Sequence, residues 1–268
     1  MLAKRIISAV VGVILLICIV ISDKIVINIG VAAISMIALY ELFSAVKCEK
    51  NLPLMGISWL GAIVISFSNF IRQELIMILI YGYILLLFLF YLIFHSTIRF
   101  SRIAINFFAL IYIPYFLSHI IFTRGLNNGN VLVWLIFLGA WTTDTFAFFV
   151  GTFVGKRKLW PEVSPKKTIE GAIGGIMGCG LSFLLYGYLL HIWGNYNINY
   201  ANLFILGLLC SFIAQIGDLS ASIIKRQYHI KDFGKIMPGH GGVLDRFDSI
   251  IFVAPLVYYF TACFNVIF

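Results

Sequence analysis

The sequence predicts an all-α fold, a polytopic membrane helix bundle of about nine transmembrane helices with a cytoplasmic N-terminus. Composition is the first observation behind this prediction. Of the 268 residues, 62% are hydrophobic and only 11% are charged, whereas a soluble domain has roughly 25% charged residues. So few charges cannot cover a surface that faces water. Most of the exterior is therefore expected to face lipid, in an integral membrane protein.

Nine apolar segments are the second observation, because each approaches the roughly 20 residues that a helix needs to cross a bilayer. They cover residues 6–21, 25–45, 57–71, 75–94, 103–122, 131–154, 169–190, 203–216 and 249–267. The third and eighth are short. The first follows Lys4 and Arg5 and resembles a signal peptide, but no small-residue cleavage motif closes it. We therefore expect an uncleaved helix.

The distribution of basic residues is the third observation. With nine helices and a cytoplasmic N-terminus, sixteen of the 19 Lys and Arg residues lie in cytoplasmic segments, and only Lys24, Arg72 and Arg124 lie outside. Because Lys and Arg favour the cytoplasmic side, this asymmetry supports the predicted orientation. Topology thus accounts for the net charge of +8, and we do not expect a nucleic acid partner.

Two cytoplasmic segments, 155–168 and about 217–248, are richer in charge than the others. Together they carry ten of the basic residues and, with Glu170 at the edge of the first, six of the 11 acidic ones. The five cysteines are far apart and form no motif for a disulfide framework or a zinc site. Any chemistry is therefore expected at the cytoplasmic side of the membrane.

The end of the eighth helix is predicted to carry a polar face. If this helix continues past the membrane to His229, one arc of its surface carries a carboxylate, a hydroxyl and basic groups. These residues are Asp218, Ser222, Lys225, Arg226 and His229. The combination suits a metal–phosphate site, in which the carboxylate binds the cation and the bases bind phosphate oxygens. The alternative is a basic juxtamembrane helix that contacts anionic lipid.

Asp245 and Asp248 are three residues apart at the start of the last helix. If that helix begins near Val243, both carboxylates share one face. Mg²⁺ prefers oxygen ligands, typically one or two carboxylates with substrate phosphates and water. The preceding segment, 238–242, reads Pro-Gly-His-Gly-Gly, and its glycines let backbone N–H groups approach an anion. The alternative is a turn with helix-capping aspartates.

Asp144 and Glu41 are acidic residues within apolar segments. Asp144 is deep in the sixth helix, where an ionised side chain is costly and is expected to face a cavity or a partner. Hydroxyls of Thr142, Thr143 and Thr145 are close to it in sequence. A structural pair with a basic residue is the alternative. Glu41, at the inner end of the second helix, is expected to be interfacial or to pair with a base.

The segment 164–171 precedes the seventh helix. Ser164 as N-cap, followed by proline, predicts that this helix starts there. Lys166, Lys167 and Thr168 would then lie in the first turn, where cations oppose the helix dipole. They therefore suit an anion bound at that terminus. The alternative is that the lysines only satisfy the positive-inside preference.

Together, these residues resemble the signature of the phosphatidate cytidylyltransferase (CDP-diacylglycerol synthase) family. The matching positions are Ser222, Ile224, Lys225, Arg226, Lys231, Asp232, Gly234, Pro238, His240, Gly241, Gly242, Asp245, Arg246 and Asp248. Segments 144–147, 164–171 and 217–219 resemble further recurring parts of the family. The specific resemblance covers 141–248, and the first half agrees only in being apolar and helical. Phe148 departs from the family, in which tyrosine is common at this position.

The resemblance implies a homodimeric membrane enzyme that transfers CMP from CTP to phosphatidic acid and releases pyrophosphate. It implies Mg²⁺, with K⁺ as a second cation by analogy, and places the metal ligands at Asp218, Asp245 and Asp248. Lys225, Arg226 and Asp144 complete the predicted catalytic set. The predicted substrate-binding residues are Ser164, Lys166, Lys167, Thr168, Ser222, Lys231, His240, Gly241, Gly242 and Arg246.

On this interpretation the chain has an N-terminal region of helices 1–5 (1–130) and a C-terminal catalytic region of helices 6–9 (131–268). The membrane is expected to be a bacterial-type inner or plasma membrane. Other functions remain open, the nearest being another CTP-dependent lipid enzyme, such as a polyprenol kinase or a CDP-archaeol synthase. A secondary transporter would suit Asp144, but transporter sites usually lie at the membrane midplane. A lipid-binding scaffold would not need aspartates among the bases.

Overall fold

The computed structural model describes residues 2–47, 52–237, 239 and 241–268, and it is mostly helical. The helices are α1 (Leu2–Ile21), α2 (Lys24–Ala45), α3 (Leu52–Ser66), α4 (Gln73–Ile93), α5 (Phe100–Leu110), α6 (Phe116–Arg124), α7 (Gly129–Phe153), α8 (Ile169–Gly194), α9 (Tyr200–Gln227) and α10 (Leu244–Cys263). A short 3₁₀ turn (Ser68–Phe70) follows α3, and a π-helical segment (Ile111–Tyr115) joins α5 to α6. Two strands, β1 (Lys158–Trp160) and β2 (Ser164–Thr168), precede α8.

Among the residues that the structure describes, seven helical stretches are long and apolar enough to cross a membrane. They are Lys24–Ala45, Glu74–Ile93, Phe100–Arg124, Gly129–Phe153, Ile169–Gly194, Tyr200–Gln227 and Leu244–Cys263. Two shorter apolar helices, Val10–Ile21 and Pro53–Ser66, accompany them. The predicted polytopic helical membrane protein is thereby confirmed.

The stretch Phe100–Arg124 is the predicted fifth helix, with a π-helical interruption around Pro114. Proline lacks the backbone N–H that an α-helix needs and clashes with the preceding turn. A π-helical turn relieves this conflict without ending the helix. The chain therefore crosses as one helical segment with an irregular centre.

The chain divides into two compact units. Unit 1 comprises Met1–Ile121 and Ile230–Asp245, and unit 2 comprises Phe122–His229 and Arg246–Phe268. A separate division, by function, into residues 1–130 and a catalytic region from 131 onwards stays a prediction.

A buried polar network ties three helices of unit 1 together. The hydroxyls of Ser58 on α3 and Tyr83 on α4 donate to Oδ1 of Asn106 on α5, over 2.8 and 2.7 Å. Asn106 Nδ2 donates in turn to the Leu54 carbonyl (3.3 Å). Buried polar groups need such partners because leaving them unpaired is costly.

Helices α7 and α8 of unit 2 pack with small residues between them. A Cβ on Gly178 would lie 2.2 Å from the ring of Phe146, and one on Gly174 would lie 2.6 Å from Val150. Glycines that recur along α8 therefore let the two backbones approach closely, as is common between membrane helices. This packing fixes the ends of α7 and α8 beside the two strands.

The predicted helix start at Ser164 is wrong. Ser164–Thr168 is a strand that pairs antiparallel with Lys158–Trp160, so the unit also contains a small sheet that the all-α prediction missed. Helix α8 begins at Ile169, and the Thr168 hydroxyl accepts the N–H of Gly171 (3.1 Å). A threonine that accepts this N–H is itself a good N-cap, so the earlier serine and proline are not needed as a cap. Lys166 and Lys167 consequently lie on a strand.

Candidate active site

A cavity of about 290 Å³ lies in unit 2 beside the β1–β2 hairpin. Its polar lining comes from α7, β2 and α9, and includes Asp144, Lys166, Lys167, Thr168 and Gln215. Asp144 thus opens into a cavity, which is the placement that its depth in an apolar helix predicts. Apolar groups, including the Phe148 ring, line the same space. The cavity is therefore lined by both charged and apolar groups.

Lys167 has acidic neighbours on three helices of this unit. Its ammonium forms an ion pair with Asp218 on α9, and it lies within electrostatic range of Asp144 on α7 and Asp248 on α10. Burial lowers the pKa of Lys167, and the neighbouring Lys225 adds to this effect, whereas Asp144 and Asp248 oppose it. One ammonium therefore has a contacting carboxylate from α9 and two more carboxylates within electrostatic range, from α7 and α10.

Helices α9 and α10 touch where they carry two of these carboxylates. A Cβ on Gly217 would lie 2.7 Å from the carbonyl oxygen of Asp248 and 3.2 Å from Cα of Ser249. Only glycine permits this approach, and Gly217 is followed directly by Asp218. The contact brings Asp218 and Asp248, two of the three predicted metal ligands, to neighbouring positions. Arg246, two residues before Asp248 on α10, lies within electrostatic range of Asp144.

The polar face of α9 is shorter than predicted. The helix ends at Gln227, and His229 lies beyond it with a positive φ of 55°. His229 is thus excluded from the helical face. Asp218, Ser222 and Lys225 are half-buried on α9 and follow each other at helical spacing.

Arg226, also on α9, is exposed and contacts the hairpin. Its Nε donates to the carbonyl of Val163 (3.3 Å) in the turn between the strands. The contact connects the end of α9 to the hairpin that carries Lys166 and Lys167. A guanidinium has five N–H donors, so this bond leaves others for the predicted phosphate contact.

The loop before α10 belongs to unit 1 and is organised by carboxylates. Oδ2 of Asp245 accepts the backbone N–H groups of Phe233 (2.8 Å) and Gly242 (3.0 Å). Gly241 has a φ of +87°, the left-handed region that favours glycine. Lys231 is exposed in this loop. His240, a predicted substrate-binding residue, lies outside the described residues.

Sequence comparison decides the family. Residues 3–264 match the cytidylyltransferase family, and the chain is 35% identical to the phosphatidate cytidylyltransferase of Bacillus subtilis over 98% of both chains. The chain belongs to the cytidylyltransferase family. Further relatives of this cytidylyltransferase carry the same name. It is 42% identical to that of Rickettsia bellii over 62% of the chain and 70% of the relative, and 44% identical to that of Staphylococcus saprophyticus over 49% of each.

The carboxylates of this cytidylyltransferase fit a hard divalent cation. Within the part of the chain that the structure describes, no three His, Cys, Asp or Glu side chains form a ready-made metal cluster. Mg²⁺ does not require one, because it is commonly held by one or two carboxylates together with phosphates and water. Asp218 and Asp248 provide such oxygens on touching helices. Asp218 forms an ion pair with Lys167, and Asp248 lies within electrostatic range of the same lysine. The assignment of metal ligands stays a prediction.

Sequence reasoning missed two contributors to this region. Glu41 was expected to be interfacial or to pair with a base, yet it is buried and accepts backbone N–H groups of the loop before α10. Its position near the end of an apolar helix was the available signal, since acids in membrane helices are usually paired. Glu170 binds the backbone N–H groups of Lys156 and Arg157, and no local pattern indicates this contact.

Proposed function

We propose that this protein is a phosphatidate cytidylyltransferase of the membrane, which transfers CMP from CTP to phosphatidic acid in phospholipid biosynthesis. The proposal depends mainly on one observation in unit 2. Beside a cavity, Asp218 forms an ion pair with Lys167, and Asp144 and Asp248 lie within electrostatic range of the same lysine. Acidic and basic groups in one place suit a metal-assisted reaction between phosphates. The similarity to the Bacillus subtilis relative with this name, which covers 98% of both chains, supports the same function.

The reaction joins two phosphates. A phosphate oxygen of the lipid attacks the α-phosphorus of CTP and forms a new P–O bond. The bond from that phosphorus to the oxygen that bridges it to the β-phosphate breaks, and pyrophosphate leaves with the electron pair. Because a phosphate monoester has a second pKa of about 6, the lipid phosphate is largely ionised near neutral pH. No strong general base is required, which agrees with a site of carboxylates and cations.

The basic side chains bind and orient the phosphates. Their positive charges offset the negative charge that develops on the attacking and leaving oxygens. We assign this task to Lys166, Lys167, Lys225, Arg226 and Arg246, with Ser164, Thr168, Ser222 and Lys231 as further substrate contacts. His240, Gly241 and Gly242 are assigned to the loop over the nucleotide or pyrophosphate.

Three aspartates are assigned to the metal. Bound Mg²⁺ would act as a Lewis acid on phosphoryl oxygens, and Asp218, Asp245 and Asp248 would hold it through carboxylate oxygens. Asp144 is assigned as a further contact to metal or substrate. K⁺ as a second cation rests on the family resemblance alone.

The finer topology is part of the proposal. Nine transmembrane helices are supported by the seven long apolar stretches together with Val10–Ile21 and Pro53–Ser66. A cytoplasmic N-terminus, and with it an active site at the cytoplasmic face of the bacterial plasma membrane, is supported by the Lys and Arg distribution. A homodimer rests on the family resemblance.

Product analysis with labelled CTP tests the function. The detergent-purified protein is given CTP labelled in the α- or the γ-phosphate, with phosphatidic acid or a polyprenol, and with Mg²⁺ or EDTA. We expect α-label in CDP-diacylglycerol only with phosphatidic acid and Mg²⁺. Label from the γ-phosphate in polyprenol would indicate a lipid kinase instead. Reactions without lipid serve as the control, and no α-labelled lipid in any reaction would overturn the proposal.

A further inference from the structure

Glu41, near the end of α2, is a buried carboxylate outside the residues assigned above. Only 2% of its surface is exposed, and glutamate is rarely buried to this extent unless it is paired. Its partners are backbone groups. The N–H of Val243 donates to Oε1 over 3.0 Å, and the N–H of Leu244 donates to Oε2 over 2.8 Å. Both carboxylate oxygens are therefore used by one short segment of chain.

The loop before α10 closes around this carboxylate. A Cβ on Gly234 would lie 2.1 Å from Oε1 of Glu41, and one on Gly242 would lie 2.4 Å from Oε2. Any larger residue at either position would displace the glutamate or the loop. The two glycines and Glu41 therefore form a fitted contact within unit 1.

Glu41 and Asp245 divide the N–H groups at the start of α10 between them. Asp245 accepts the N–H of Gly242, and Glu41 accepts those of Val243 and Leu244. The first N–H groups of a helix have no partner within it, and negative charge is favourable at that end. The two N–H groups that Glu41 binds thus directly follow, in sequence, the Gly242 N–H that binds the Asp245 carboxylate.

We propose that Glu41 is a positioning residue that fixes the backbone of Val243 and Leu244 and thereby orients Asp245 for Mg²⁺. This inference rests on the proposed function. Residues that support a metal ligand from outside the coordination sphere commonly set the orientation of that ligand. Their loss costs roughly 10–100-fold in metal affinity or activity. The inference assigns a role in the reaction to a residue outside 141–248, the part of the chain that carries the specific family resemblance.

The substitution Glu41→Gln tests the proposal with little change of shape. Glutamine keeps one oxygen acceptor but places an NH₂ group against the other backbone N–H. We expect the Mg²⁺ concentration for half-maximal activity to rise about 10-fold or more, with a smaller change in kcat at saturating Mg²⁺. Glu41→Asp keeps the charge and should recover part of the Mg²⁺ response. Ser35→Ala, at another buried polar position of α2, is the matched control and should behave as wild type.

Hydrogen–deuterium exchange adds a measurement that needs neither metal nor activity. In Glu41→Gln the peptide that covers Val243 and Leu244 should exchange faster than in wild type, because a hydrogen bond that protects it is lost. Ser35→Ala should leave this peptide unchanged. Equal exchange in Glu41→Gln and wild type would overturn the contact itself.

The outcomes separate this inference from the proposed function. Faster exchange with an unchanged Mg²⁺ dependence would overturn the positioning role, because Glu41 would then only stabilise the loop. A uniform loss of kcat with no Mg²⁺ shift would overturn it too. If Glu41→Gln does not fold, the same measurements on Glu41→Asp test the positioning role. If wild type makes no CDP-diacylglycerol, the function fails, whereas the exchange experiment still tests the Glu41 contact.

Discussion

Two carboxylates of unit 1, Glu41 and Asp245, have different partners from three carboxylates of unit 2, Asp144, Asp218 and Asp248. In unit 1, Glu41 and Asp245 accept backbone N–H groups of the loop before α10. In unit 2, Asp218 forms an ion pair with the ammonium of Lys167, and Asp144 and Asp248 lie within electrostatic range of it. A backbone N–H has a fixed place in the chain, so a carboxylate that binds it sets the position of a segment. A lysine side chain is flexible, so its carboxylate partners can exchange it for another cation.

This difference indicates two tasks for one type of side chain. Carboxylates bound to backbone hold the polypeptide in place, and carboxylates bound to a side-chain cation are suited to ligands. Asp245 belongs to the first group by its contacts and to the second by the family resemblance. It is therefore the most informative residue for separating the two tasks.

The largest effect is expected from removing charge while keeping shape. Asp218→Asn, Asp245→Asn and Asp248→Asn should each lower kcat for CMP transfer by about 10³-fold, the order seen when one group that stabilises transition-state charge is lost. The melting temperature in detergent should change little, because each asparagine keeps an oxygen acceptor. Labelled CTP measures the transfer. Full activity in Asp245→Asn and Asp248→Asn would remove the metal assignment.

A smaller effect, on stability, should distinguish Asp245 from Asp218. Asp245→Ala leaves the N–H groups of Phe233 and Gly242 without their acceptor, which should cost about 1–3 kcal/mol. Asp218→Ala breaks an ion pair whose side chains are 28% and 25% exposed, and Asp144 and Asp248 remain near Lys167, so about 0–1 kcal/mol is expected. Thermal or denaturant unfolding in detergent measures both. Equal losses of stability would contradict the division between backbone-bound and cation-bound carboxylates.

The smallest effect is expected on nucleotide binding. Replacing Lys166 and Lys167 together with alanine should raise the KM for CTP about 10-fold, with less change in kcat, because both line the cavity and are assigned to phosphates. Lys158→Ala, on the other strand of the hairpin, removes an exposed lysine and is the control. An unchanged KM in the double variant would mean that these lysines only satisfy topology.

The pH dependence of the same KM gives a further check on Lys167. Burial lowers its pKa, so Lys167 loses its proton at lower pH than an ordinary lysine. The charge that binds phosphate is present below that pKa and is lost as pH rises through it. The KM for CTP should therefore rise in the alkaline range in wild type, and this rise should be weaker in Lys167→Ala.

Several elements of the site could be predicted from local sequence. Asp144 in an apolar segment indicated a cavity, and the structure has one there. The spacing of Asp218, Ser222 and Lys225 predicted a shared helical face, which α9 has. The same local reasoning failed at Ser164 and His229. Strand pairing with Lys158–Trp160 overrides a serine–proline helix start, and a positive φ excludes His229 from the helix.

By itself, the sequence determined the membrane helices, the unequal distribution of basic residues and the family signature, because length, hydropathy and motif spacing are properties of neighbouring residues. Only the tertiary structure decided the partners of the carboxylates. Lys167 and Asp218 are 51 residues apart, and Glu41 and Val243 are 202 apart. Such pairs depend on how closely distant segments of the chain approach each other, as at Gly217 and Gly242. No local sequence pattern encodes that distance.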